Sequence, residues 1–239
     1  MKHRDGLTWL TALPIAHRGF HDKSDGRPEN SMAAFRAAIA GPYAIECDLQ
    51  ISADGVPMVF HDDDLERMTG QKGNIRDWPA AKLSGLKLAA TAEPIPTLAD
   101  LLNGTNGEVP LVLELKAQPG RDEGFAAAVC DLLKHYAGPV AVMSFDPDLI
   151  ADLRDAAPGL PRGLTAEGNW RWCARILQAA VRLNVHFISY SIADLPTPAP
   201  LIARYLMGMP LICWTVRTDA DRRRAKRWTD QVTFEGFTP

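Results

Sequence analysis

The sequence predicts an α/β fold, a (β/α)8 barrel of the TIM type, and three observations carry that prediction. Eight short β-type runs alternate with stretches of helical pattern rich in Ala, Leu and Arg, which indicates a parallel sheet with crossover connections. Eight is also the number of strands that closes such a barrel. The chain is 239 residues long, a length that an α/β barrel fills as one domain. A chain of that size buries roughly 70% of its unfolded surface, so it needs neither disulfides nor a structural metal to hold a core.

The strand runs are residues 14–17, 44–49, 111–116, 140–145, 163–166, 186–190, 211–216 and 231–234. Helical patterns lie at 31–40, 122–136, 148–156, 170–183, 198–207 and 219–228. The first of these opens on Asn30-Ser31, both good capping types, and stops at Gly41. A helix over 6–13 is positioned to close the barrel bottom. The chain ends soon after the eighth strand, so the last outer helix is expected to be missing. The exposed flank then favours a homo-oligomer.

A ninth run, 56–61, breaks the alternation. It follows the second strand too closely for a parallel crossover, which needs about a dozen residues or more. Asp54-Gly55 is instead a hairpin signal. Residues 44–61 therefore read as one barrel strand that rises past the rim, turns and returns, carrying His61 over the mouth. Residues 62–96 are polar, Gly-containing and irregular, and end at Pro94-Ile95-Pro96. They read as a small insertion on the active face of a single domain covering 1–239.

Composition excludes several classes. Hydrophobic residues at 46% and charged residues at 23% are globular averages, and no run approaches the length of apolar chain that spans a membrane. A formal charge of -3 provides no global basic field for nucleic acid. The run Arg222-Arg223-Arg224-Ala225-Lys226-Arg227 follows a plausible cap at Thr218-Asp219. It lies toward a helix C-terminus, where the macrodipole favours cations, and reads as a solvated face. Cys47, Cys130, Cys173 and Cys213 are scattered without a C-x-x-C pair, against zinc clusters and thioredoxin-like redox chemistry. Met1-Lys2-His3-Arg4-Asp5 leads into no sustained apolar segment or cleavage site, so the expected address is the reducing cytoplasm.

Titratable residues gather at the predicted strand ends. His17-Arg18-Gly19 closes the first strand, Glu46 and Asp48 sit on the second, His61-Asp62 ends the hairpin, and Glu114 and Lys116 end the third. Residues two apart on a strand share a face, so Glu46 with Asp48, and Glu114 with Lys116, enter the same space if those faces point inward. The C-terminal mouth of a barrel is where such groups do chemistry. Three converging carboxylates repel one another unless a cation joins them, and oxygen-only ligation suits Mg2+ or Ca2+ better than Zn2+. Two flanking histidines can act as general base and general acid. Arg18 as a planar fork and Lys116 as a point charge suit a phosphate. Together these groups describe phosphoryl transfer.

These segments resemble the glycerophosphodiester phosphodiesterase family. The resemblance rests on His17-Arg18-Gly19, Pro28-Glu29-Asn30-Ser31, Glu46-Cys47-Asp48-Leu49-Gln50, Ser52-Ala53-Asp54-Gly55, Val59-Phe60-His61-Asp62, Leu65-Glu66-Arg67, Ile95-Pro96-Thr97-Leu98, Glu114-Leu115-Lys116 and Trp214-Thr215-Val216. They follow one another in order along nearly the whole chain. The resemblance implies hydrolysis of glycerophosphodiesters, a small-molecule substrate class, to glycerol 3-phosphate and an alcohol. It implies a divalent cation, Mg2+ or Ca2+, on Glu46, Asp48 and Glu114, with His17 and His61 as acid and base. Arg18 and Lys116 are expected to face the phosphate. Glu29 and Asn30 are weighed as site residues, with Asn30 equally a plain helix cap. Trp214 is read either as a core residue or as an apolar wall for the substrate.

Two departures stand out. Met68 occupies a place where the family often has Thr, and Thr233-Phe234-Glu235-Gly236 replaces its more usual Thr-Asp run. Two rival readings remain beside the first. A lipid-directed phosphodiesterase of phospholipase D or C type predicts an exposed apolar rim, against which the polar 62–96 stretch argues. A non-catalytic phosphodiester-binding barrel is expected to lack one of the histidines or carboxylates, and none is missing.

Overall fold

Strand β1 (Ile15–Ala16) pairs in parallel with both β2 (Ala44–Ile51) and β9 (Gln231–Phe234), and those two contacts close the sheet into a barrel. The computed structural model describes residues 6–239, so Met1-Lys2-His3-Arg4-Asp5, read above as unlike a leader, lies outside them. Between β2 and β9 run β4 (Leu111–Leu115), β5 (Val140–Ser144), β6 (Arg162–Ala166), β7 (Phe187–Ser191) and β8 (Leu211–Val216), all parallel. Strand β3 (Pro57–Val59) pairs antiparallel with the upper end of β2, Leu49 against Val59. The return of the second strand is therefore a hairpin, as the short Asp54-Gly55 connection requires.

Helices α1 (Met32–Ala40), α4 (Leu98–Thr105), α5 (Phe125–Leu133), α6 (Pro147–Ala156), α7 (Cys173–Arg182), α8 (Pro198–Tyr205) and α9 (Asp219–Trp228) form the outer layer. Two one-turn helices, α2 (Glu66–Thr69) and α3 (Ala80–Leu83), lie in the insertion. Helix α4 was not expected from periodicity. Its start is a full capping box, Thr97 and Asp100 bonding each other's backbone N–H, hidden in sequence behind the Pro94-Ile95-Pro96 punctuation. Helix α5 is shorter than the 122–136 pattern because Gly124 at φ 75° precedes it. The 170–183 pattern opens as a 3-10 turn, Trp170–Trp172, before α7 begins. The 6–13 segment is likewise only a 3-10 turn over Thr8–Thr11. No element follows β9 in the described chain, and no described helix is long and apolar enough to cross a membrane.

The barrel strands are buried on both faces, and alternation sorts their side chains. On β2 and β4, Ile45, Cys47, Leu49, Leu111, Leu113 and Leu115 join the shell packed under the helices. Ala44 and Val112 face inward with Ile15, Ala141, Met143, Phe187 and Ile212, and Leu7 and Leu10 plug that layer from below. Higher on the same inward face come Glu46, Asp48 and Glu114. The barrel interior thus changes from apolar to acidic along its own strands.

The insertion is not the irregular polar segment its composition indicates. Met58, Phe60, Leu65, Met68, Ile75, Leu83, Leu88 and Ile95 form a separate small core, with its apolar residues too widely spaced for any period. Arg76, buried, ties this unit to the barrel: it donates to Gln50 Oε1 at 3.0 Å, to Asp122 Oδ1 at 2.6 Å and to the carbonyl of Lys116.

Candidate active site

Parallel register aligns the acidic residues. Asp48 stands level with Glu114 across β2 and β4, and Glu46 shares the face of Asp48 two residues back. All three are buried, and one oxygen from each lies within 4.8 Å of the others. Burial and the neighbouring carboxylates push Glu46 well above the ordinary glutamate range. Burial also raises Glu114, with Lys116 opposing and Asp48 adding to it. Asp48 has the opposite fate: burial alone would raise it, but Lys116 and Arg18 hold it well below its ordinary range. Lys116 Nζ lies 3.0 Å from Asp48 Oδ1 and also contacts Glu114 Oε1.

Arg18 leaves the end of β1 in the left-handed region, φ 56°, a conformation kept only where surroundings enforce it. Its N–H donates to Glu46 Oε2 at 2.9 Å, its Nη1 to Glu29 Oε1 at 2.6 Å, and its Nε lies 3.2 Å from Asp48 Oδ2. Gly19 follows at φ 79°, where a Cβ would press on Ala34 and Phe35. That packing explains the small residue of the His-Arg-Gly run. The helix cap is Ser31, whose hydroxyl accepts from the N–H of Ala34. Asn30 instead turns its amide to Asp48 Oδ2 at 2.9 Å, itself at φ 55°.

The two histidines are held alike. His17 Nδ1 lies 2.5 Å from Glu235 Oε2, and its Nε2 is 4.0 Å from Glu46 Oε2. His61 Nδ1 lies 2.6 Å from Asp62 Oδ1, and the N–H of Phe60 bonds the Asp48 carbonyl, pinning the hairpin end. Burial lowers His17 while the Glu235 hydrogen bond opposes that shift. Burial alone would raise Glu235, but the facing His17, His21 and Arg217 side chains hold it far below the usual carboxylate range. Each partner carboxylate has an arginine behind it. Arg217 Nε donates to Glu235 Oε1 at 2.8 Å, and Arg67 binds both Asp62 and Glu29.

His17, Arg18, Glu46, Asp48, His61, Glu114, Lys116 and Trp214 all line one cavity of about 510 Å³. Glu29 and Asn30 lie behind that lining, Glu29 holding Arg18 and Arg67, Asn30 holding Asp48. Trp214 forms an apolar wall with Phe145, their rings edge to face at 5.4 Å. Phe145, Asp62, Arg67 and Glu235 were not singled out as site residues. Ala16 pairs with Phe234, so the next residues, His17 and Glu235, are level. Barrel closure alone could have signalled that pair.

The donor set fits a hard divalent cation: three buried carboxylates, two of them driven toward protonation when no cation joins them, and no sulfur or imidazole among them. Two imidazoles with Nδ1 engaged present Nε2 for proton transfer, and Arg18 and Lys116 supply fixed positive charge.

Known proteins share this arrangement of sequence and fold. A glycerophosphodiester phosphodiesterase of Caldanaerobacter subterraneus subsp. tengcongensis is 31% identical over 167 residues, spanning 65% of this chain and 67% of that one. One from Bacillus subtilis is 26% identical across 94% of this chain and 83% of its own length. A phosphodiesterase of Oleispira antarctica, solved in complex with the product sn-glycerol-3-phosphate, is 25% identical with a TM-score of 0.81, covering 95% of this chain and 94% of that one. The profile of the glycerophosphoryl diester phosphodiesterase family matches residues 17–234. That match runs from the end of the first barrel strand to the end of the last, and the chain belongs to the glycerophosphoryl diester phosphodiesterase family, as an enzyme that hydrolyses glycerophosphodiesters.

Proposed function

We propose that this hydrolysis yields sn-glycerol 3-phosphate and an alcohol, and that it depends on a divalent cation and on His17 and His61 as an acid–base pair. The observation that carries the reading is the pairing of two carboxylate-anchored imidazoles on one cavity with a buried acidic cluster between them. Glu46, Asp48 and Glu114 would hold Mg2+ or Ca2+, which when bound supplies charge neutralisation to the phosphate.

The chain's own groups do the rest. Arg18 and Lys116 bind and orient the phosphate through its non-bridging oxygens. Glu235 and Asp62 accept from Nδ1–H of their histidines, which leaves each Nε2 free to carry a proton. One histidine takes a proton from the nucleophile, a water or the neighbouring glycerol hydroxyl. The other gives a proton to the departing alkoxide. Phe145 and Trp214 give the cavity an apolar side. Purified protein assayed on glycerophosphocholine with Mg2+ or Ca2+, and with chelator, tests the reading. Full turnover in excess chelator after dialysis removes the cation from it.

A further inference from the structure

We propose that His17, His21 and Glu235 form a second metal site, one for an imidazole-preferring transition ion such as Zn2+, and that filling it shuts hydrolysis off. One donor atom from each of the three lies within 4.8 Å of the others. His17 Nδ1 and His21 Nε2 are 2.5 Å and 3.9 Å from Glu235 Oε2. A tetrahedral ion with bonds of about 2.0–2.1 Å sets its donors roughly 3.3 Å apart, so small shifts of opposite sense along the two Glu235 edges admit one.

A second observation points to a ligand there. His21 Nε2 is buried with no hydrogen-bond partner, since 3.9 Å is beyond hydrogen-bond reach. A buried orphan nitrogen is costly unless something fills its place, and it faces the one carboxylate that also holds His17. Glu235 is pre-set for the role: Arg217 anchors its Oε1 and leaves Oε2 toward the two imidazoles. His21 also lines a second cavity, of about 420 Å³, which His17 does not line.

The two donor sets sort ions by type. Three carboxylates suit Mg2+ or Ca2+, whereas two imidazoles and one carboxylate suit Zn2+, Co2+ or Ni2+. The consequence for turnover follows from proton balance and rests on His17 acting as proposed above. An ion on Nδ1 takes that nitrogen's lone pair, and the ring's single proton moves to Nε2. Nε2 then has no lone pair with which to accept a proton, and no second proton on the ring replaces the one it would give. His17 can no longer cycle.

The test uses the whole chain with saturating Mg2+ and glycerophosphocholine as substrate. Zn2+ should inhibit the wild type. His21→Asn and His21→Gln, with circular dichroism certifying their fold and each compared with its own Zn2+-free rate, should need at least about tenfold more Zn2+ for the same fractional inhibition. Loss of a mere supporting partner of a metal site already costs 10–100-fold. Independently of turnover, Co2+ added under the same Mg2+ should give strong visible absorption bands in the wild type, because imidazole-containing low-coordinate sites absorb where all-oxygen octahedral ones barely do. Both variants should lose those bands. Inhibition unchanged in both variants, or bands that persist in them, overturns the site. Bands lost without any Zn2+ inhibition of the wild type overturn the shut-off. If the wild type turns over with neither Mg2+ nor Ca2+, the proposed hydrolysis fails instead, and the Co2+ bands still decide the site.

Discussion

Lys116 Nζ lies 3.0 Å from Asp48 Oδ1, so an ammonium sits against the carboxylate at the centre of the acidic cluster. Lys116 follows Glu114 by two residues on the same face, and Glu114 is level with Asp48. One charge thus steadies two carboxylates, while Glu46 is left the most strongly raised of the three. Charge in the cluster is incompletely balanced by protein alone.

A divalent cation is therefore expected to stabilise the fold more at neutral than at mildly acidic pH. Glu46 and Glu114 lie above their ordinary values through burial and like charge, so the folded chain keeps protons that the unfolded chain releases. That contribution is full below the ordinary glutamate value and fades as pH rises toward the raised folded values. Asp48 has the reverse sign: its lowered value contributes above the ordinary aspartate range and is lost only in stronger acid. Cation binding displaces the retained protons, so its affinity climbs with pH. Added at about 100 times its Kd, the ion contributes about 2.7 kcal/mol. Calorimetry with Mg2+ or Ca2+ at the two pH values measures this, and a larger Tm increment in acid contradicts it. Glu114→Gln should shrink the increment.

The histidines should each be worth about 10²–10⁴-fold in kcat. His17→Ala and His61→Ala are expected to lose that much with circular dichroism unchanged. A nitrophenyl leaving group, which departs without a proton, should restore the rate of whichever variant has lost the general acid. A wild-type rate for either variant on glycerophosphocholine would remove that residue from the proposed pair.

Much of this site was legible because it lies on strands. The two-residue period placed Glu46, Asp48, Glu114 and Lys116 on shared faces, and the Asp54-Gly55 turn placed His61 over the mouth. What escaped reading is tertiary. Arg67 reaches Glu29 and Asp62 from a one-turn helix within the insertion, whose apolar core has no period to detect. Glu235 meets His17 across 218 residues only because β1 and β9 close the barrel. Helix α4 escaped because its eight residues include Asn103 and Gly104, poor helix formers.

Arg67 is expected to act through its neighbours. It holds Asp62, which orients His61, and Glu29, which orients Arg18. Arg67→Met should lower kcat roughly tenfold to 100-fold, the scale of an ångström-sized misplacement, and should raise KM through Arg18. His61→Ala and Arg67→Met combined should lose less than the product of the two, because both act on one imidazole. Multiplicative losses would separate Arg67 from His61.

Gly163 tests the barrel floor. It lies on β6 beside Phe187, and a Cβ there would overlap the Phe187 ring. Phe187 is fully buried in the plugged apolar layer, so the ring has little room to yield. Gly163→Ala should destabilise by about 1–3 kcal/mol, read from chemical denaturation with an unchanged m-value.

Substrate size follows from where apolar surface lies. The cavity has an apolar side made by Phe145, Trp214, Ile192 and Ala193, facing the charged side of Arg18, Lys116 and the carboxylates. That apolar side belongs to a cavity of about 510 Å³ and suits a compact glycerol backbone. Exposed indoles do stand on the same end of the barrel, Trp170 at 68% and Trp172 at 48% exposure, just after β6. Neither lines the cavity, and both have an arginine stacked on them, Arg171 and Arg175. An acyl chain needs apolar surface beyond the cavity wall, and each CH2 left in water forgoes about 0.8 kcal/mol. Glycerophosphocholine and glycerophosphoethanolamine should therefore be turned over better than lysophosphatidylcholine, without detergent or vesicles. The comparison is kcat/KM at one fixed Mg2+ concentration. A clear preference for the lysolipid, reduced by Trp170→Ala or Trp172→Ala, would instead make the indole pair a lipid-facing rim and the enzyme lipid-directed.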